Sequence, residues 1–513
     1  MPSSPPMTRT LTFTLGLALG ACGGSGPAAE TPEPTAPPLP WDDRGLPEPR
    51  DLPAVESPAI ALVGGRVVTP DAILDEGVVV FEDGRLVAVG ATGDVAVPDG
   101  ARVIDVAGRT VTPGVIDTHS HMGVYAVPNV RAHSDGNEAT SPNTAEVQAA
   151  DSVWPQDPSL QRALAAGVTT IHVLPGSANL IGGRGVTLKL HLGRSVDELR
   201  FPGAPDSLKM ACGENPKRVY GGRRQAPSTR MGNVAGYRAA YLAARAYGES
   251  WGNWQHQHRL WQRKRMAFDR DQEARAGGVA PESDPVEDPG PAPTPPERKP
   301  ALETLYGVLE GRILVQMHCY RADEMARMMA LGQELGFRVR SFHHAVEAYK
   351  IRDLLAAQEV SISTWADWWG FKMEAYDAIP ENLALLQEAG ARAVVHSDSE
   401  MLVQRLNQEA AKAMWAGRHA GVPVEETAVY RWITANPAWT LGVHHVTGTL
   451  EAGKMADVVV WSGDPLSVYT HADLVFVDGL VGWDRRGELG PAGAEGTPPT
   501  DFELGQNESE VLP

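Results

Sequence analysis

Basic residues are in short supply. Lys and Arg number 45 against 64 Asp and Glu, a formal net charge of −19. A surface of that sign repels phosphate backbones, so nucleic acid is excluded as a partner. Cysteine is scarcer still, with three in 513 residues. There is no internal repeat. The apolar stretch at residues 11–21 is broken by Thr12, Thr14 and glycines and is too short to span a bilayer. What remains is ordinary for a globular protein: hydrophobic residues make up 42% of the chain. Such a length holds two or three domains, or one α/β barrel with insertions.

Arg9 ahead of residues 11–21 gives that stretch the form of a secretory signal. Met7 is an alternative start from which the signal reads better. It ends in Leu19-Gly-Ala-Cys22, which resembles a bacterial lipobox. The resemblance implies cleavage before Cys22 (residues 1–22 being the signal peptide) and acylation of its thiol. Gly23 follows, with no acidic residue to retain a lipoprotein in the inner membrane. The expected place is therefore the outer membrane, through an N-terminal lipid anchor, facing the periplasm or the cell surface. Residues 23–58, rich in Pro, Gly, Ala and Thr, read as a disordered tether, and residues 486–513 as a disordered tail.

Residues 59–112 alternate short Val/Ile/Leu runs with Gly and Asp turns, and Glu82-Asp-Gly-Arg85 is a hairpin signal. Residues 443–485 return to that style. Between them, at 113–442, strand-like and helical runs alternate, the pattern of parallel α/β units. Eight candidate strands fall at 115–119, 169–173, 186–190, 208–211, 313–318, 338–342, 360–364 and 393–396. Eight is the number a (β/α)8 barrel needs. An insertion at 255–300 separates the fourth from the fifth: an Arg-rich solvated helix over 255–276, then an exposed Pro/Glu loop over 277–300.

Residues 111–121 read Val-Thr-Pro-Gly-Val-Ile-Asp-Thr-His-Ser-His. On a strand, residues two apart share a face. His119 and His121 would thus aim at one point from a strand's C-terminal end, where such a barrel places its chemistry. Thr112-Pro-Gly-Val-Ile-Asp-Thr-His-Ser-His121, Gly167-Val-Thr-Thr170, Asn436-Pro-Ala438 and Gly448-Thr-Leu-Glu-Ala-Gly-Lys-Met-Ala-Asp-Val-Val-Val460 resemble the amidohydrolase superfamily, in order and spacing, across about residues 59–485. The most similar subgroup is the imidazolonepropionase-like amidohydrolases, which include prolidase-like dipeptidases.

The resemblance implies a TIM barrel (β/α)8 fold with a small β-sandwich built from both chain ends. It also implies a metal site. His318, His344 and Asp398 close strand candidates and complete a set with His119 and His121. Asp398 binds metal and takes a proton from the attacking water. His344 precedes Glu347-Ala-Tyr-Lys350 by three residues, as in the family, and is preferred over His343; on a strand the two would point to opposite sides. An anionic bridge between two metals is commonly a carboxylated lysine, here Lys209, with Lys189 as its rival. Imidazole and carboxylate ligands suit one or two zinc ions, or manganese or iron. Cys212 and Cys319 sit beside candidate ligands, which argues for buried small side chains over a disulfide.

Substrate recognition is thinly written. Arg218, Tyr220 and Arg230 follow the fourth strand, and either arginine could clamp a carboxylate. Tyr320 and Arg321 follow His318. His396 shares a face with Asp398. Trp365, Trp368 and Trp369 could wall an apolar subsite. The resulting expectation is a metal-dependent hydrolase of carbon–nitrogen bonds in a small molecule, such as a dipeptide or acyl-amino acid, with a homodimer expected from the family. The alternatives are a mononuclear cyclic amidohydrolase or deaminase, and a non-catalytic ligand-binding lipoprotein.

Overall fold

Val- and Ile-rich runs between Gly and Asp turns become strands, since branched side chains suit a pleated surface. The computed structural model describes residues 55–487 and Leu489, apart from residues 192, 279–283 and 369. The signal, Cys22, most of the tether, Trp369 and nearly all of the tail lie outside the described residues.

The first strands are β1 (Ile60–Val68), β2 (Ile73–Glu82), β3 (Arg85–Ala91), β4 (Arg102–Asp105) and β5 (Thr110–Pro113). The β2–β3 turn carries positive φ at both Asp83 and Gly84, 49° and 73°, as a tight hairpin requires. Eight strands follow: β6 (Val115–Ser120), β7 (Val168–Val173), β8 (Ile181–Lys189), β9 (Ser207–Ala211), β10 (Leu314–Cys319), β11 (Val339–His344), β12 (Ser361–Thr364) and β13 (Arg392–Val395). Each overlaps one of the eight expected. The chain ends with β14 (Val458–Trp461), β15 (Ala472–Val477) and β16 (Leu480–Asp484).

Two sheets result. The first runs β16-β15-β14-β5-β1-β2-β3, with β4 beside β1. Both ends of the chain therefore meet in one sheet, joined where β5 lies antiparallel to β14 and Thr110 pairs with Trp461. Its apolar side buries Ile60, Leu62, Phe81, Val458, Val460 and Phe476. This sheet groups with the barrel in one compact unit.

The second sheet runs β6 to β13 in order. Its ends are tied where the Asp398 N–H donates to the His119 carbonyl at 2.9 Å, giving a nearly closed barrel. One strand departs from the expected parallel pattern. β8 is antiparallel to both β7 and β9. The reason is length. Only residues 174–180 join β7 to β8, and a parallel crossover needs a dozen or more. The C-terminal end of β8 thus lies at the opposite end of the barrel from the C-terminal ends of its neighbours.

The helix Arg230–Ala276 starts well before the expected residue 255. Its portion from Trp254 onward forms a second compact unit with the segment up to Thr294. That segment is held to its helix. Trp254 Nε1 donates to the Pro293 carbonyl at 2.9 Å and Trp261 Nε1 to the Gly290 carbonyl at 2.8 Å, so the exposed loop is tied to its helix by indole N–H groups.

Candidate active site

β6 delivers His119 and His121, and the turn after β13 delivers Asp398. His121 Nε2 lies 3.2 Å and His119 Nε2 3.5 Å from Asp398 Oδ1. His121 Nδ1 meets the Leu174 carbonyl at 2.8 Å, which fixes its ring. Asp117 anchors the arrangement from below. Its carboxylate accepts from the His119 and Ser397 N–H groups, both at 3.1 Å, and from the Ser397 hydroxyl. It thereby locks the turn that carries Asp398 to β6. Burial raises the Asp117 carboxyl to about 6, against the pull of these bonds. Asp117 lies two residues before the His-x-His pair, yet spacing alone gave no sign of its role.

Lys209 rises from β9, fully buried, with Nζ 3.3 Å from His119 Nε2. Burial draws its ammonium down to about 8, although the Asp398 charge works to raise it. A neutral amine is the form that reacts with carbon dioxide. Lys189, the rival, is far from this chemistry. Carried to the other end of the barrel by the reversed β8, its Nζ pairs with Asp457 Oδ1 at 2.9 Å and with Asp478.

His318 ends β10, and its ring centroid lies 4.5 Å from that of His344. Asn215 Nδ2 meets His318 Nε2 at 3.3 Å and Ser177 Oγ at 2.9 Å. His343 and His344 do not point to opposite sides. Both ring centroids lie within 5 Å of His119, at 4.8 and 4.9 Å. The cause is the backbone: His344 has φ 70° and Ala345 φ 40°, which breaks the pleat at the strand end. His343 Nδ1 contacts His119 Nδ1 at 3.0 Å.

His396, fully buried after β13, stands closer to the centre than a substrate-facing role implies. Ring nitrogens of His119, His344 and His396 lie within 4.8 Å of one another, as do donor atoms of His119, His121 and Asp398. His318 Nδ1, His344 Nδ1 and His396 Nδ1 are buried without a hydrogen-bond partner. Orphaned buried acceptors are costly. Burial, with neighbouring positive groups, holds the His119, His318 and His344 rings well below the ordinary imidazole range and His396 at about 3. They are therefore in the neutral form that binds metal. The donor set fits a divalent ion of the zinc type.

Cys212 and Cys319 form a disulfide, with Cα atoms 5.2 Å apart. The expectation of separate buried thiols is corrected by register: Ala211 of β9 pairs with His318 of β10, so the next residues on the two strands face each other at bridging distance. The bridge staples the strand ends that carry Lys209 and His318.

The comparisons agree with this geometry. An amidohydrolase from Thermotoga maritima MSB8 of known structure is 31% identical, with a TM-score of 0.68, over 83% of this chain and 100% of that one. The chain belongs to the amidohydrolase superfamily. The Amidohydrolase family model matches residues 378–481. Amidohydrolase tasK of Hapsidospora irregularis is 32% identical over 431 residues, 81% of this chain and 40% of that protein. The chain thus spans well under half the length of that relative. The urease alpha subunit of Edwardsiella ictaluri (strain 93-146) is 35% identical over 127 residues, 21% of each chain.

On the open side of this amidohydrolase, aromatic rings stack on His344. The Trp365 and Tyr320 centroids lie 4.5 and 5.1 Å from it, nearly parallel. Trp368 stacks on Trp365 at 5.0 Å. Lys372, which sequence reasoning missed, places Nζ 3.7 Å over the Tyr320 ring and within reach of Glu214 and Glu374. Other expected substrate contacts are engaged elsewhere. Tyr220 is buried, and its hydroxyl donates to the Ala139 and Ser141 carbonyls at 3.2 and 2.6 Å. Arg230 pairs with Glu324 at 2.9 Å and with Glu374. Arg321 pairs with Asp323 at 2.9 Å. Arg218 is exposed. A clamp made by Arg230 would first have to give up two carboxylates.

Proposed function

We propose that this amidohydrolase is metal-dependent and cleaves an amide bond in a dipeptide or acyl-amino acid. The observation that carries this reading is the convergence of neutral, partly orphaned imidazoles on Asp398. His119, His121, His318, His344 and Asp398 would hold one or two divalent ions, with zinc the first choice and manganese or iron next. Lys209, once carboxylated on Nζ, would add an anionic ligand. A bound ion of this kind polarises a carbonyl and makes water acidic enough to attack at neutral pH. Asp398 would take the proton of the attacking water and return it to the leaving nitrogen. Burial works to raise this carboxyl, but the His121 hydrogen bond and the nearby Lys209 hold it below its usual range. It is thus ionised and ready to accept. Tyr320, Trp365 and Trp368 would wall the substrate.

A second reading, a single ion with cyclic-amide opening or deamination, is favoured by one observation. His119, His121 and Asp398 close into a triad without Lys209. Metal content decides between them. Purified without chelator and with bicarbonate present, the protein should hold about two equivalents and cleave members of a dipeptide panel. About one equivalent, with activity on cyclic amides alone, would replace the first reading by the second. No uptake of any divalent ion would reject both.

The lipoprotein reading of residues 1–22 and an outer-membrane location are part of the same proposal. The disulfide supports them, since such bonds persist in oxidising compartments.

A further inference from the structure

A line of hydrogen bonds descends from His119 into the barrel. Lys209 Nζ reaches His119 Nε2 at 3.3 Å. His119 Nδ1 meets His343 Nδ1 at 3.0 Å, and His343 Nε2 meets Gln316 Oε1 at 2.8 Å. Gln316 Nε2 reaches the Thr440 carbonyl at 3.3 Å. His119, His343 and Gln316 are all buried to 1% exposure or less, so no solvent competes for these bonds.

Such a chain can run in only one direction. The Thr440 carbonyl accepts and never donates, so the Gln316 amide must present its NH2 there. A flipped amide would set two oxygens against each other. Gln316 Oε1 is therefore turned to His343 and can only accept, so His343 Nε2 carries the hydrogen. A neutral imidazole has one N–H, which leaves His343 Nδ1 as an acceptor. His119 Nδ1 must then donate to it, and His119 Nε2 keeps its lone pair. At the upper end Lys209 Nζ, 3.3 Å from His119 Nε2, can donate to that lone pair.

We infer that Gln316 and His343 are positioning residues that hold His119 in the tautomer whose Nε2 lone pair faces the metal centre. The inference rests on the metal-site reading of the proposed function, and it gives a role to the histidine passed over as a ligand. His343 is excluded from coordination by this arrangement, because one nitrogen holds Gln316 and the other holds His119. The anchor is the backbone of the helix Ala435–Thr440, remote in sequence from every ligand. Partners of this kind orient metal-binding histidines and raise their basicity.

The test has two arms. Two-bond proton–nitrogen spectra of the metal-free wild type, labelled in histidine and assigned by single substitutions, report which ring nitrogens carry hydrogen. His119 should be protonated at Nδ1 and His343 at Nε2. Equilibrium dialysis with Zn2+ alone then compares Gln316→Leu, which keeps volume and removes the acceptor, with Gln316→Glu. Burial keeps that carboxyl neutral, so it can accept from His343 and donate to Thr440. The leucine variant should bind about 10–100-fold more weakly, as loss of such a partner does elsewhere, and the glutamate variant should bind within about threefold of wild type. His119 protonated at Nε2 in the wild type would overturn the relay. So would a folded Gln316→Leu with unchanged affinity. Absence of zinc uptake by the wild type would instead reject the metal reading, and the spectra would still decide the tautomer.

Discussion

Lys189 offers the sharpest test of how this barrel is built. Its Nζ, with the side chain 1% exposed, lies 2.9 Å from Asp457 Oδ1 and also contacts Asp478. Thr447 Oγ1 adds a hydrogen bond to Asp457 at 2.9 Å. At that separation and an effective dielectric of about 20, one such ion pair attracts by about 6 kcal/mol. Desolvating three charges offsets most of that gain. The intact cluster is therefore worth little against an apolar replacement, and breaking it is the costly change. Lys189→Met leaves two buried carboxylates together, with a loss of about 3–5 kcal/mol. The lower end is expected, because burial already raises Asp478 despite Lys189, and that carboxyl will take up a proton. At about 2.1 cal/mol/K of unfolding entropy per residue over roughly 430 described residues, about 3 kcal/mol moves the thermal midpoint by about 3 °C. Urea unfolding should show the same loss, and metal content per folded chain should stay at the wild-type level. Lys209→Met should do the reverse, losing metal with little change in midpoint. A Lys189→Met protein of wild-type stability, or one that loses its metal, would refute the assignment of the two lysines.

Four shorter predictions follow from other contacts. Asp398→Asn should keep fold and most metal but lower turnover by about 10²–10⁴-fold; a fully active variant removes Asp398 from the mechanism. Under denaturing, non-reducing conditions a thiol titration of protein starting after residue 22 should find no free cysteine, and Cys212→Ser with Cys319→Ser should cost about 2–5 kcal/mol in urea; two titratable thiols would remove the bridge. Trp261→Phe deletes the bond to Gly290, at about 1 kcal/mol, and should speed proteolysis within 284–294; unchanged cleavage would show that the segment is not pinned. Glu303 accepts from Arg298 at 2.7 Å, which lowers its carboxyl below the ordinary value, and from the Tyr247 hydroxyl at 3.2 Å. Its contribution is complete above the unfolded value near 4.5 and is lost as pH falls through the folded one. Glu303→Gln should thus cost about 1 kcal/mol at pH 7 and markedly less at pH 3, as read from the pH dependence of the urea midpoint; a pH-independent loss would contradict the ionic role.

All eight barrel strands could be read from apolar runs between turn residues, and His119, His121, His318, His344 and Asp398 from strand ends within a motif. The misses have physical causes. A buried strand reads alike in either direction, so the reversal of β8 shows only in the seven residues that precede it, and starting that strand late hid the clue. The shared inward face of His343 and His344 depends on a positive φ that no periodicity rule predicts. The disulfide depends on register between strands 107 residues apart, which local pattern does not encode. Gln316 was within reach, since it lies two residues before His318 on the same strand. Its importance comes from Thr440, and that contact exists only in the folded chain.

The sheet shared by both chain ends also sets an order of events. β5 waits for β14, and the lysine at the end of β8 waits for Asp457 and Asp478, which emerge from the ribosome after every barrel strand. Until then the nascent barrel carries an unpaired buried cation and an open strand edge. A chain cut short before residue 478 therefore keeps every proposed metal ligand yet lacks one of the two carboxylates that neutralise Lys189. Completion of the β15–β16 hairpin therefore closes the charge balance around Lys189.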